Sequence, residues 1–242
     1  MDIQKLIQKS KNSFEDDPRK LACTQEDSPL VILEAQKNLK LEPIWQYPID
    51  EREGPIYKQY VHENPGYHSM YLREAVAKRL YKALDYLPGN WTVILRDGHR
   101  PTAVQNKLLQ SLVDKYVYER PDSKIEEAIA YARTFVSDPE IQLPPHCCGV
   151  AVDVDVLDTN TGNLVDFGSS VNTPSEISFL HSKNISKLQY ANRMTLLAVM
   201  LEAGFAPCHT EWWHFSYGDK VWAYFYNKPH VLYGIIEPDT PK

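Results

Sequence analysis

The sequence has few cysteines and no long apolar run. Its four cysteines, Cys23, Cys147, Cys148 and Cys208, are too few for a disulfide-stapled fold and show no repeated CxxC spacing. No apolar stretch approaches the ~20 residues that a membrane-spanning helix needs. The N-terminus also lacks the basic start and apolar core of a secretory signal. We therefore expect no membrane association and a cytoplasmic location.

Basic residues are in deficit as well. The chain carries 26 Lys and Arg against 32 Asp and Glu, a net charge of −6. Because nucleic-acid binding generally needs a basic face that replaces phosphate counterions, we expect no nucleic-acid partner. The 242 residues, of which 43% are hydrophobic, suffice for one sizeable domain. The sequence carries no signal for an oligomeric state.

The spacing of apolar residues predicts an α+β fold, a single domain with a central antiparallel sheet and helices packed on one side. Apolar residues recur every three or four positions in four stretches, which predicts helices over 71–87, 102–118, 123–136 and 185–203. Runs rich in β-branched and aromatic residues predict strands over 91–95 and 150–157, and a hairpin that joins 210–217 to 221–226.

Two other stretches lack such periodicity. Residues 1–28 are polar and charged, and we expect a loosely held N-terminal arm or a segment that faces a partner. Residues 39–64 contain several prolines and a glycine and are expected to be mostly irregular. Their aromatic side chains favour packing on the domain body over lining a pocket. The domain proper then spans residues 29–242.

Two histidines and two carboxylates suggest a metal site. Glu211 precedes His214 by three residues in EWWH, and His146 precedes Asp153 in HCCGVAVD. A catalytic zinc site uses three protein ligands and leaves the fourth position for water. A further carboxylate that stays off the metal can take a proton from that water. We interpret His146, Asp153 and His214 as ligands of one zinc ion, and Glu211 as the general base.

Alternatives remain open at this point. Asp155 shares the predicted strand face with Asp153, and Cys148 and His209 are further candidate ligands. Residues three apart on a regular strand point to opposite faces, so Glu211 and His214 converge only if the chain bends or bulges between them.

The segments HCCGVAVD and EWWH, with DGHRP upstream, resemble the motifs HxxGxAxD, ExWH and Asp-Gly-aromatic-Arg-Pro of the D-alanyl-D-alanine dipeptidases. These zinc peptidases include the vancomycin-resistance dipeptidase and share a metal site with D-alanyl-D-alanine carboxypeptidases and the Hedgehog signalling domain. The resemblance extends over most of the chain from Tyr71. It implies a fold of that type.

The resemblance implies one zinc ion per chain on His146, Asp153 and His214, with Glu211 as the base. It also implies that Arg100 stabilises the oxyanion, although Arg100 could instead serve only in an ion pair with Asp97. The implied reaction is hydrolysis of the dipeptide D-alanyl-D-alanine to free D-alanine, in recycling or clearing cell-wall dipeptide.

Three positions depart from the family pattern. Pro144 stands where the family usually has a substrate-contacting serine, and His99 stands where tyrosine is more frequent. Asn172 stands at the position of an aspartate that binds the substrate amino group, and asparagine cannot neutralise an ammonium. One alternative is therefore a zinc peptidase for another small peptide or a peptidoglycan stem peptide. A catalytically inactive zinc-binding module is disfavoured, since it needs neither Glu211 nor Arg100.

Overall fold

The computed structural model of the protein describes residues 2–12, 21–46, 53–173 and 175–238. No helix within these ranges has the length and apolar character to cross a membrane. The helices and strands follow in chain order: α1 Ile3–Lys9, β1 Leu30–Ile32, β2 Leu39–Leu41, α2 Glu53–Glu63, β3 Tyr71–Arg73, α3 Glu74–Ala83, β4 Trp91–Asp97, α4 Thr102–Glu119, α5 Ile125–Arg133, β5 Ala151–Asp158, β6 Asn163–Leu164, α6 Lys187–Glu202, β7 Ala206–Pro207, β8 His214–Ser216 and α7 Lys220–Phe225.

The main sheet has the strand order β2-β4-β5-β8-β7, and β6 pairs with the far end of β5. Strands β4, β5 and β8 form its antiparallel centre. Strand β2 is the exception to the expected antiparallel sheet because it runs parallel to β4. A separate antiparallel pair joins β1 to β3. The predicted α+β class is confirmed.

Strand β5 is buried on both faces. Its alternate valines, Val152, Val154 and Val156, belong to the main apolar core together with residues of α3 and α6. The opposite face carries Asp153 and Asp155, which are only 3% and 7% exposed. Since a buried carboxylate is costly without partners, each must be paired within the protein.

The C-terminal part combines one confirmed and one wrong prediction. Helix α6 matches the expectation for 185–203, and it begins with a capping box in which Ser186 and Gln189 exchange hydrogen bonds. The predicted hairpin is wrong, because the segment after Gly218 is helix α7. The Asp219 side chain accepts a hydrogen bond from the Trp222 N–H and so caps that helix.

The stretch 39–64 was expected to be mostly irregular, and this is wrong for two of its parts. Leu39–Leu41 is strand β2, and Glu53–Glu63 is helix α2. Pro55 lies in the first turn of α2, where a missing backbone N–H costs nothing. The preceding residues 47–52 lie outside the described ranges.

The described parts of the N-terminal 28 residues contact the domain. Helix α1 packs its apolar side chains, Ile3, Leu6 and Ile7, against the core. Just after it, the Ser10 hydroxyl lies 2.8 Å from Nε2 of His181. Further on, Cys23 forms an isolated parallel bridge with Val231. Residues 13–20 lie outside the described ranges.

Candidate active site

Three candidate ligands meet at the end of the central strands. Asp153 of β5 and His214 of β8 are direct register partners, which places their side chains on one sheet face. His146 reaches the same point from the turn that precedes β5, where its carbonyl oxygen accepts from the N–H of Gly149. One nitrogen or oxygen atom from each ligand lies within 4.8 Å of the others.

The imidazole of His146 is oriented by backbone. Its Nδ1 lies 2.7 Å from the carbonyl oxygen of Gly98, so this nitrogen carries the hydrogen and Nε2 presents its lone pair to the cluster. Gly98 has no room for a side chain, since a Cβ atom there would lie 2.8 Å from the Tyr71 carbonyl oxygen. The tight path at Gly98 thus fixes which nitrogen of His146 can bind a metal.

The spacing of the donor atoms fits a tetrahedral metal. Nε2 of His146 lies 3.2 Å from Nδ1 of His214 and 3.4 Å from Oδ2 of Asp153. Nδ1 of His214 lies 3.0 Å from Oδ1 of Asp153. Two ligand atoms at ~2.05 Å from a tetrahedral zinc would lie roughly 3.3 Å apart. The residues therefore fit a metal ion of this size with little rearrangement.

The Asp153 carboxylate favours positive charge on the histidine beside it. Burial alone would lower the pKa of His214, but the hydrogen bond and charge of Asp153 outweigh it and raise the pKa to about 9. Burial alone would raise the pKa of Asp153, but His146 and His214 hold it far below its usual range. A cation is thus favoured between two buried side chains, His146 and Asp153, and the partly exposed His214.

A turn brings Glu211 to the same site. Residues 211–213 are not a strand, and the N–H of His214 points to the carbonyl oxygen of Glu211 at 3.4 Å. The Glu211 carboxylate lies 3.8 Å from Nδ1 of His214 and is 41% exposed, outside the group of three ligands. The bend required by the sequence is thus a turn before β8, and it leaves this carboxylate beside the metal position with access to solvent.

Arg100 is buried in a polar network. Its Nη2 lies 2.8 Å from Oδ2 of Asp97, so the ion pair considered from the sequence is present. Its Nη1 donates to Oε1 of Gln105 at 3.0 Å, and its Nε donates to the Tyr57 hydroxyl at 3.1 Å. The backbone N–H of Arg100 donates to the carbonyl oxygen of His146 at 3.1 Å. Arg100 is therefore tied directly to the chain segment that bears a candidate ligand.

The other candidate ligands lie outside the group. Asp155 pairs with Arg96 at 3.4 Å and accepts from the N–H of Val156. Cys148 is buried, and burial raises the pKa of its thiol, which disfavours the thiolate that a metal needs. His209 packs near the ring of Phe179.

The three departures from the family pattern have distinct settings. Pro144 is buried, and its carbonyl oxygen accepts from Cys148 in the turn below His146. His99 is buried and its Nε2 lies 2.8 Å from the carbonyl oxygen of Ile236. Asn172 has a φ of 61° in the loop that follows Gly168.

That loop is anchored beside Glu211. The indole Nε1 of Trp212 donates to Ser169 Oγ at 3.0 Å, and the backbone N–H of Trp212 donates to the Ser178 carbonyl oxygen at 3.0 Å. Asn172 thus lies in a segment held against the residue next to the candidate base.

Two residues of the site were missed from the sequence. Tyr57 was assigned to a mostly irregular stretch, and Gln105 to a helix considered only for its apolar face. For Tyr57, the available signal was the number of aromatic residues in the stretch 39–64. For Gln105, it was the short distance of five residues from Arg100 along the sequence.

Comparison with known proteins then identifies the family. The family model described as D-ala-D-ala dipeptidase matches residues 64–234. The chain belongs to this family. The expected metallopeptidase class is thereby confirmed, and the match includes Arg100 and all four residues of the proposed metal and base set.

Relatives of this D-ala-D-ala dipeptidase family member include two bacterial proteins named D-alanyl-D-alanine dipeptidase. The protein of Synechocystis sp. is 29% identical over 235 residues, which covers 85% of this chain and 90% of the relative. The protein of Enterococcus faecalis is 28% identical over 131 residues, which covers 53% of this chain and 63% of the relative.

Among solved structures, a Zn(II) complex of the vancomycin-resistance D,D-pentapeptidase VanY has a TM-score of 0.45 and 15% identity. That match covers 91% of this chain and 96% of VanY. VanYB in complex with D-alanine-D-alanine gives the same score and identity, with 90% and 93% coverage. At this TM-score and identity, neither structure assigns a role to any residue of this chain.

Proposed function

We propose that this protein is a zinc-dependent dipeptidase that hydrolyses D-alanyl-D-alanine to two molecules of D-alanine. The observation that carries the proposal is the convergence of His146, Asp153 and His214, with the Glu211 carboxylate close by but outside the ligand group. The family match and the names of its relatives support the substrate.

The metal ligands and Glu211 have separate parts in the proposed reaction. His146, Asp153 and His214 would hold zinc, which when bound lowers the pKa of a water molecule to ~7 and polarises a carbonyl group. Glu211 accepts a proton from the attacking water and delivers it to the leaving amine. The water oxygen bonds to the carbonyl carbon, the C–N bond breaks, and the former amide nitrogen leaves as a free amine.

Arg100 supplies the positive charge. A guanidinium group keeps its proton at any working pH and offers several N–H donors to a developing oxyanion. Its ion pair with Asp97 does not conflict with this role, because it fixes the direction of the group in a buried site.

The test is release of D-alanine from D-alanyl-D-alanine by the zinc-loaded protein, with Glu211→Ala as the matched variant. We expect release by the natural protein, loss on chelation, and loss in Glu211→Ala while one zinc per chain stays bound. Full activity of Glu211→Ala would refute the assigned base.

Two residues of the sequence favour a second substrate class. Pro144 offers no hydroxyl group, and Asn172 offers no negative charge for a substrate ammonium. Both favour a longer or N-blocked peptide, such as a peptidoglycan stem, over a free dipeptide. A panel that compares D-alanyl-D-alanine with N-acylated and longer D-alanyl-D-alanine peptides at equal zinc loading separates the two.

A further inference from the structure

The segment before residue 64 contributes directly to the site, although the family match begins only at that residue. Helix α2 carries Tyr57, whose side chain is fully buried. Its ring lies 5.4 Å from that of Trp45, and its hydroxyl reaches the Asp97–Arg100 ion pair. A helix outside the matched region thus touches the residue assigned to charge stabilisation.

The Tyr57 hydroxyl makes two kinds of hydrogen bond at once. It lies 2.8 and 2.9 Å from the two carboxylate oxygens of Asp97, to which it donates. It accepts from Nε of Arg100 at 3.1 Å. Burial and the charge of Asp97 raise its pKa well above the usual value, so the hydroxyl keeps the proton it donates. A phenylalanine ring would fill the same space and provide neither bond.

Gln105 fixes the other side of the guanidinium group. Its Oε1 accepts from Nη1 of Arg100 at 3.0 Å, while its Nε2 donates to the carbonyl oxygen of Ser137 at 2.7 Å. The second bond sets the orientation of the amide, so the oxygen faces Arg100. Gln105 is 3% exposed and one turn into α4.

We propose that Tyr57 and Gln105 are positioning residues for Arg100, and that helix α2 is a functional part of the active site. An arginine side chain has four flexible torsions, and its contribution to charge stabilisation depends on its being held before the reaction starts. Tyr57, Asp97 and Gln105 contact Nε, Nη2 and Nη1 respectively. This inference rests on the proposed function, in which Arg100 stabilises the oxyanion.

The test is a double-mutant cycle in the zinc-loaded full chain. We expect Tyr57→Phe to lower kcat for peptide hydrolysis by ~10- to 100-fold, the usual cost of removing a supporting partner, with KM and zinc content nearly unchanged. In an Arg100→Ala background the same change should cost less than about twofold, because the group it positions is gone.

Tyr60→Phe is the matched control. Tyr60 lies one turn further along α2 and its ring contacts Tyr67, but among the described residues its hydroxyl has no hydrogen bond. Its kcat should equal that of the natural protein. Gln105→Leu provides a second cycle with Arg100→Ala that leaves α2 untouched, in case Tyr57→Phe does not fold.

A spectroscopic readout separates this proposal from the proposed function. The Nε–H resonance of Arg100, assigned by its loss in Arg100→Lys, should exchange slowly with water in the natural protein. The exchange rate should rise in Tyr57→Phe and stay unchanged in Tyr60→Phe, whether or not the enzyme cleaves the chosen peptide. Unchanged exchange in Tyr57→Phe, or an equal loss of kcat with and without Arg100, would overturn the positioning role. Absence of peptide cleavage by the natural protein would count against the proposed function alone.

Discussion

The backbone N–H of Arg100 donates a 3.1 Å hydrogen bond to the carbonyl oxygen of His146. In return, the imidazole of His146 donates to the carbonyl oxygen of Gly98, two residues before Arg100. The two segments therefore hold each other in a fixed relation. The candidate ligand His146 and the arginine proposed to stabilise charge therefore share one rigid support, although 46 residues separate them in the sequence.

Removal of a single ligand should abolish stable metal binding. His146→Ala leaves one imidazole and one carboxylate, and loss of a direct ligand should exceed the roughly 10- to 100-fold loss in affinity seen when only an outer partner is removed. After desalting, we expect about one zinc per chain in the natural protein and almost none in the variant, by elemental analysis.

The control for this measurement is His230→Ala, because His230 is exposed and lies outside the candidate ligand group. Equal zinc content in His146→Ala and His230→Ala would show that His146 is not a ligand.

The turn before β5 should be sensitive to a methyl group at Gly149. Gly149 has a φ of +68°, and a Cβ there would lie 2.8 Å from Cδ2 of Leu30. We expect Gly149→Ala to lower the free energy of unfolding by ~1–3 kcal/mol, as measured by urea denaturation of the metal-free protein.

Gly162→Ala isolates the steric part of that cost. Gly162 has a similar φ of +72°, but nothing lies within 4 Å of its added Cβ. It should lose less stability than Gly149→Ala. If the two variants were equally stable, close packing at Gly149 would be irrelevant.

The buried charges beside the site should make Arg96 important for stability. Arg96 lies 2.7 Å from Glu42 and 3.4 Å from Asp155, and its side chain is 6% exposed. Replacement by methionine strands the Asp155 carboxylate in the interior. We expect a loss of about 3–5 kcal/mol in the free energy of unfolding.

The surface pair of Lys78 and Glu74 is the comparison, with an equally short distance of 2.8 Å but side chains 70% and 48% exposed. Lys78→Met should change stability by ~1 kcal/mol or less. A similar small effect for Arg96→Met would show that Asp155 is stable without its cation, for instance as the neutral acid that burial favours.

His99 should make the folded state sensitive to acid. Burial is the main cause that lowers its pKa from 6.5 to about 4. Because the pKa of His99 is lower in the folded than in the unfolded state, acid favours the unfolded state. The contribution of neutral His99 to stability is complete above pH 6.5 and is lost as the pH falls from 6.5 towards 4. The loss should reach roughly 3 kcal/mol at most.

The measurement is urea denaturation of the natural protein and of His99→Gln from pH 8 to pH 4. The glutamine amide can still donate to the Ile236 carbonyl oxygen in place of Nε2 but does not titrate. The stability difference between the two proteins should shrink as the pH falls. Parallel curves would exclude His99 as a source of acid sensitivity.

Regular periodicity allowed part of this fold to be predicted from the sequence. Helix α6 and strand β5 were predicted within one or two residues because their apolar spacing is clear and Gly204 and Gly149 mark their boundaries. The segment Lys220–Phe225 was misread, since its valine and aromatic residues favour strands whereas the Asp219 cap initiates a helix. Helix α2 was missed because Gly54 and Pro55 resemble a loop signal.

The sequence was enough to name the residues of the candidate site but not to predict how they are arranged. His146, Asp153 and His214 could be named from spacing and resemblance, but the turn that brings Glu211 to His214 is not encoded in any periodicity. Tyr57 could not be tied to Arg100 either. Their contact spans 43 residues and depends on how α2 packs in three dimensions.

The pairing of β5 with β8 has a consequence for the order of events in the cell. Asp153 and His214 are 61 residues apart, and they meet only because their strands are in register. Closing such a long loop is slow compared with forming local helices. The proposed metal site is therefore complete only late, after His214 has been synthesised and the sheet has closed. Zinc loading should then report the end of folding rather than guide its beginning.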